Sequence, residues 1–167
     1  MSFSVLRSDF RAKAELMYGS TSASAILRAV AADGASAVIL FRIGQIFSRA
    51  RLAPFAFLLM KLNKLFNGVT IGSGASIGQG FVIQHSVGVV INGRAVMGAN
   101  CVLEGGVVIG AVDRWSPQIG SGVYIGSGAK IVGRVTIGDN CKVGANAVVV
   151  KDAPAGSTIV GVPGVAR

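Results

Sequence analysis

"IGSGVYIGSGAKIVGRVTIGDNCKVGANAV", Ile119 to Val148, repeats every six residues: each block opens on Ile or Val, and four of the five carry Gly second. The same cut extends back to Leu65 (LFNGVT, IGSGAS, IGQGFV, IQHSVG, then INGRAV, MGANCV, LEGGVV, IGAVDR) and forward to VVKDAP. It yields fourteen hexads, with Val89–Val90 and Trp115–Gln118 left over between blocks. All fourteen first positions are Leu, Ile, Val or Met, and eight second positions are Gly. The fifth position is small or aliphatic except at Phe81 and Asp113. Neither helical nor simple strand periodicity produces a strict six. A coil of three short flat strands does: the first residue points into a narrow prism, the fifth packs beside it, and Gly turns the corner. Stacked coils pair their strands in parallel and set like residues above one another. Cys101 and Cys141 fall on fifth positions and read as small core residues rather than redox groups.

The composition agrees. The chain has 167 residues, enough for one domain with a small appendage, and 51% of them are hydrophobic. With eight Phe, two Tyr and one Trp, the core is aliphatic; with 24 Gly and four Pro, an ordinary helical bundle is excluded. The charge is +9, and residues 1–68 carry most of it, with nine Lys/Arg against three acids, while residues 69–167 have seven against four. That balance favours an anionic partner: a phosphorylated cofactor, a membrane surface or nucleic acid. No basic block interleaved with aromatics is present, so nucleic acid is the weakest of the three. Two separated cysteines and one histidine do not make a metal centre, and none is expected.

The opening "MSFSVLRSDFRAK" is charged where a signal peptide would be apolar. The uncharged run Leu65 to Gly93 holds seven glycines with Asn, Gln, Ser and His, which excludes a spanning helix. A cytoplasmic location follows, with the inner face of the membrane as a variant. In "GASAVILFRIGQIFSRA", Ile39, Leu40, Ile43, Ile46 and Phe47 recur at helical spacing, and "PFAFLLMKLNKLF" is a second apolar segment. Residues 1–64 therefore read as two or three helices covering the open end of the prism, 65–154 as the repeat, and 155–167 as a tail. The basic helical residues are either a solvated face or, ranked second, a peripheral contact with an anionic membrane.

Chemistry is sought where the repeat is broken. The breaks are His85, the only histidine; the extra Val-Val after it; and "AVDRWSPQ", with the only Trp. The segment "IGQGFVIQHSVGVVINGRAVMGANC", followed by "GVVIG", a loop and "PQIGSGVYIGSGAKIVGRVTIGDNCKVGANAVVVKDAPAGSTIVGVPGVAR", resembles the serine acetyltransferase family over residues 67–167. The "VVING" segment is also similar to acetyltransferases of capsule and exopolysaccharide synthesis. The resemblance implies a left-handed parallel β-helix, mainly β, with a short N-terminal helical region, assembled as a homotrimer and using acetyl-CoA. It makes His85 the general base that deprotonates an acceptor hydroxyl, a task suited to imidazole. Without it, His85 reads as a corner residue bonded to the next coil. It also places oxyanion-binding N–H groups near Gly110 and Ala111, and the cofactor against Gly126, Ser127, Gly128, Ala129 and Ala145. Lys130, Lys142 and Lys151 are candidates for its phosphates, or ordinary surface charge.

Several positions depart from the family. Thr70 stands where an aspartate orients the histidine, Gln84 where another holds the amino group of serine, and Gly93 where the family has a glutamate. Arg114 matches a family arginine, but Trp115 and Ser116 take the place of its second histidine. An ammonium-bearing acceptor needs a carboxylate. The acceptor-side candidates are Gln84, Asn92, Arg114 and Trp115, the last able to stack on a sugar. The expectation is an acetyl-CoA-dependent O-acetyltransferase acting on a small-molecule or glycan hydroxyl, first a sugar of a polysaccharide or its precursor. L-Serine is the first alternative, and a non-catalytic binding scaffold the second.

Overall fold

In a computed structural model, which describes residues 3–166, the hexads wind into a three-faced parallel solenoid. The first coil is β1 (Thr70–Ile71), β2 (Ser76–Ile77) and β3 (Val82–Ile83). Face one stacks β1 under β4 (Val90–Ile91), β7 (Val108–Gly110), β10 (Lys130–Val132) and β13 (Val148–Val149). Face two stacks β2 under β5 (Val96–Met97), β8 (Gln118–Ile119) and β11 (Thr136–Ile137). Face three stacks β3 under β6 (Val102–Leu103), β9 (Tyr124–Ile125), β12 (Lys142–Val143) and β14 (Thr158–Val160); β15 (Val165–Ala166) turns back antiparallel on β14.

From Ile71 on, the first residue of each hexad is the inward one, as expected. Ile71, Ile91, Ile109, Ile131 and Val149 are in register on face one, and Ile83, Leu103, Ile125, Val143 and Ile159 on face three. All ten are essentially buried, and each such side chain contributes about 1.5–3 kcal/mol on leaving water. The corner between faces two and three alternates Gly80, Asn100, Gly122, Asn140 and Gly156, all with positive φ. A side chain on Gly80 or Gly122 would strike the amide oxygen of Asn100 or Asn140 above it. Cys101 and Cys141 are fully buried, as read from their hexad position.

Two details differ from the sequence cut. Val89 is fully buried and takes the inward fifth position, whereas Val87 is 74% exposed. The two extra residues therefore swell the corner that holds His85 rather than following it. Likewise Pro117 is buried, and the longer insertion closes on itself through reciprocal Val112–Trp115 backbone hydrogen bonds of 3.0 Å. Leu65, which opens the first hexad, is 74% exposed and belongs to a helix.

The helical region has four helices where two or three were expected: α1 (Phe3–Tyr18), α2 (Ala23–Ala31), α3 (Ala35–Arg49) and α4 (Ala53–Asn67). Their limits follow from local chemistry. The Ser22 hydroxyl caps α2, Pro54 opens α4, and Gly68 closes it in a left-handed conformation. The helices close the open end of the prism by satisfying backbone groups that have no coil beneath them. Arg42 donates to the carbonyls of Ile77 (2.8 Å) and Gly78 (2.6 Å), and Gln45 to that of Ala75 (2.9 Å). Asp9 accepts from the Phe81 amide at 2.9 Å and pairs with Arg42 at 2.8 Å, both side chains being buried. No single described helix is long and apolar enough to cross a membrane.

Candidate active site

The swollen corner runs from Gln84 to Gly88. The Gln84 amide still bonds the Leu103 carbonyl (2.9 Å), the Val87 carbonyl accepts from the Gly106 amide (2.9 Å), and the Val89 amide returns to the Ser86 carbonyl (3.3 Å). Between these anchors His85 is pushed outward, its side chain 72% exposed. Its Nδ1 lies 3.4 Å from Oδ2 of Asp33, in the turn between α2 and α3. Ser86 holds the same carboxylate, its hydroxyl donating to Oδ1 at 2.8 Å and its amide to Oδ2 at 3.4 Å. Burial raises the Asp33 pKa, but hydrogen bonds from Ser86, the Gly34 amide and His85 outweigh it and hold it below the ordinary value. An ionised Asp33 accepts a hydrogen bond from Nδ1–H, which leaves the Nε2 lone pair free: the tautomer of a general base.

This corrects the reading that the carboxylates around His85 are lost. Thr70 and Gln84 carry none, but the helical region supplies Asp33 from 52 positions earlier. In the sequence the only trace is the helix-breaking "DG" at 33–34. Glu104 stands on the same corner one coil on and accepts from the Tyr124 hydroxyl at 3.1 Å; burial and the neighbouring Glu104 raise the Tyr124 pKa.

The corners stack into ridges. Above His85, the ridge between faces three and one carries Gly105, then Gly126, Ser127 and Gly128, then Ala145. It is bonded coil to coil by the Gly128 amide to the Gly105 carbonyl and the Asn146 amide to the Ser127 carbonyl, both 2.8 Å. A Cβ on Gly105 would sit 3.3 Å from that of His85, so the ridge stays low beside the imidazole. Such a strip of small residues admits a narrow chain close to backbone. Lys130 flanks it on face one and donates to the Gly128 carbonyl at 2.9 Å; Lys142 flanks it on face three, exposed. Ala129 departs from the expectation: its side chain is fully buried and its carbonyl accepts from Val108, which puts it in the core rather than on the ridge.

The remaining expected residues lie elsewhere. Asn92, Gly110, Ala111, Arg114, Trp115 and Lys151 follow the ridge between faces one and two. Asn92 accepts from the Arg94 amide at 2.9 Å, and the Arg114 carbonyl from the Arg94 guanidinium at 3.4 Å. Trp115 is half exposed, with the Arg134 guanidinium 4.4 Å over its ring. One chain thus holds two half-sets on different edges of the prism. Among the described residues no group of three or more His, Cys, Asp or Glu is placed to hold a metal ion.

The fold and site thus define a hexapeptide-repeat solenoid with one outward histidine at a swollen corner. The family described as bacterial transferase hexapeptide (six repeats) matches residues 116–151. The chain is 38% identical over 135 residues to the serine acetyltransferase of Synechococcus elongatus, covering 78% of this chain and 55% of that protein. It is 36% identical over 132 residues to that of Helicobacter pylori, covering 77% of each. The crystal structure of the Neisseria gonorrhoeae serine acetyltransferase superposes with a TM-score of 0.91 at 31% identity, covering 99% of this chain and 65% of that one. The chain belongs to the serine acetyltransferase family. It spans about half the length of the Synechococcus relative and about two thirds of the gonococcal one.

Proposed function

We propose that this protein transfers an acetyl group from acetyl-CoA to the hydroxyl of L-serine, with His85 as general base. The observation that carries this is the His85–Asp33 pair, 3.4 Å apart on an exposed corner at the foot of a low ridge. Asp33 accepts a hydrogen bond from Nδ1–H and stabilises the imidazolium that forms as Nε2 removes the proton from the acceptor hydroxyl, whose oxygen attacks the thioester carbonyl. The tetrahedral oxyanion collapses, the C–S bond breaks, and the imidazolium returns its proton to the leaving thiolate. Base catalysis of this kind is worth about 10²–10⁴ in rate.

The order of acceptors expected from sequence is reversed here. Relatives across the family are named serine acetyltransferase, and Asp33 restores a negative charge beside the histidine. A sugar hydroxyl remains the second reading, supported by the half-exposed Trp115 where the family has histidine. Thioester consumption with L-serine beside neutral sugars separates the two. Saturable turnover with serine is expected, and turnover with sugars alone would overturn the choice of acceptor.

The trimer is part of the proposal. His85 and the ridge of Gly126–Gly128 lie on one edge, while Gly110, Ala111, Arg114 and Trp115 lie on another, so a second copy is needed to bring the oxyanion donors to the imidazole. The CoA arm would lie along Gly126, Ser127, Gly128 and Ala145, with Lys130, Lys142 and the neighbouring copy's Lys151 beside its phosphates. Peripheral contact with an anionic membrane is proposed for the outer side of α4. There Phe55, Leu58, Leu65 and Phe66 are exposed and flanked by Arg51, Lys61 and Lys64, and no acid occurs between Asp33 and Glu104.

A further inference from the structure

Lys13, in α1, is 3% exposed, a rare situation for a lysine. Its ammonium donates to two backbone carbonyls, that of Asp33 at 2.5 Å and that of Ile83 at 2.7 Å. Those carbonyls belong to the two places from which the catalytic pair projects: the α2–α3 turn that carries the Asp33 carboxylate, and the end of β3, two residues before His85. The desolvation is costly, and it pulls the Lys13 pKa down against the opposing charges of Asp33 and Glu104. Independently, Gly34 has φ +75° and sits so close that any side chain would strike the Ile83 carbonyl oxygen. The turn is thus drawn onto Ile83 by a cation and allowed there by a missing Cβ.

We infer that Lys13 is a positioning residue of the His85 site: it ties the Asp33–Gly34 turn to the end of β3 and so sets the Asp33 carboxylate on Nδ1 of the imidazole. The inference rests on the proposed role of His85, but its primary readout does not need turnover. With only one histidine in the chain, long-range ¹H–¹⁵N spectra report a single imidazole. Wild type is expected to show the Nδ1–H tautomer. Lys13→Met, similar in length and uncharged, is expected to show a mixture of both neutral tautomers. Its kcat for acetyl transfer should fall about 10- to 100-fold, with the acetyl-CoA KM within about twofold of wild type, as for loss of a residue that orients a catalytic group.

Asp33→Asn lies on an exposed turn and leaves the Lys13 bonds in place. It should give the same mixture, and adding Lys13→Met to it should change the tautomers no further. A cooperatively folded Lys13→Met that keeps the wild-type tautomer and turnover would overturn the inference. So would an Asp33→Asn spectrum identical to wild type, even if Lys13→Met does not fold. A wild-type protein with the expected spectra but no transfer to any hydroxyl would instead refute the proposed function and leave the positioning role standing.

Discussion

Arg42→Met should loosen the helical region from the solenoid and disable the His85 site from a distance. The guanidinium makes two bonds to the Asp9 carboxylate (2.8 and 3.2 Å), one to Gln45 Oε1 (3.2 Å), and one each to the carbonyls of Ile77 (2.8 Å) and Gly78 (2.6 Å). Methionine fills much of the volume but leaves Asp9, 1% exposed, as an uncompensated buried charge. Breaking one side of such a pair costs about 3–5 kcal/mol. For a chain of this size that is a fall in Tm of about 6–20 °C. Denaturant and thermal unfolding followed by circular dichroism would measure it. Asp9→Asn in the Arg42→Met background should recover part of the loss, because it removes the stranded charge. Acetyl transfer should fall with stability, since Asp33 and Lys13 move with the helices. A loss of less than about 1 kcal/mol, the range of exposed pairs, would refute the view that this pair fastens the helical region to the first coil.

His85→Ala should reduce transfer by about 10²–10⁴ while changing the melting curve little at neutral pH, because the imidazole is largely exposed and its one side-chain bond is to the exposed Asp33 carboxylate. If two copies share a site, mixing inactive His85→Ala with an inactive Gly110→Pro variant under subunit exchange should restore activity; failure to complement, with light scattering showing a monomer, would count against the trimer. The depressed Asp33 pKa contributes stability that is present above the unfolded carboxylate value of about 3.9 and lost as pH falls through the folded value, so Asp33→Asn should flatten the slope of Tm against pH below about 4. Sedimentation with phosphatidylserine-containing vesicles should carry the protein down at low salt. Phe55→Ser/Phe66→Ser should reduce this, whereas a change in oligomer size without any loss of vesicle binding would show that the α4 face meets another copy instead.

The inward columns were legible because hexad periodicity is a local signal: Ile71, Ile91, Ile109 and Ile131 announce themselves whatever lies between the coils. The position of the two-residue insertion was not, because Val87 and Val89 are equally aliphatic and only the prism decides which turns inward. The helical count fell short at α1 and α2, for which no separate segments were read. The boundary at Leu65 was misplaced because α4 presents hydrophobic residues on both its packed and its outer side and merges in sequence with the first hexad. His85 stood out as the lone imidazole in an uncharged stretch. Its partner did not, since a contact between an inter-helix turn and a solenoid corner leaves no periodic trace. Nor could sequence show that Ala129 and its neighbour Gly128 face opposite ways, one into the core and one onto the ridge.

The swollen corner has a consequence for how this architecture can change. The columns of Ile and Val and the ladders between coils continue past both insertions without a break in register. Lengthening a surface loop carries only a weak entropic penalty, about 0.6 kcal/mol per doubling. The prism therefore works as a ruler whose marks stay put while its edges accept text of any length. New chemistry can be written into a corner such as Gly133–Arg134, on the same edge as Trp115, without re-encoding a single inward residue.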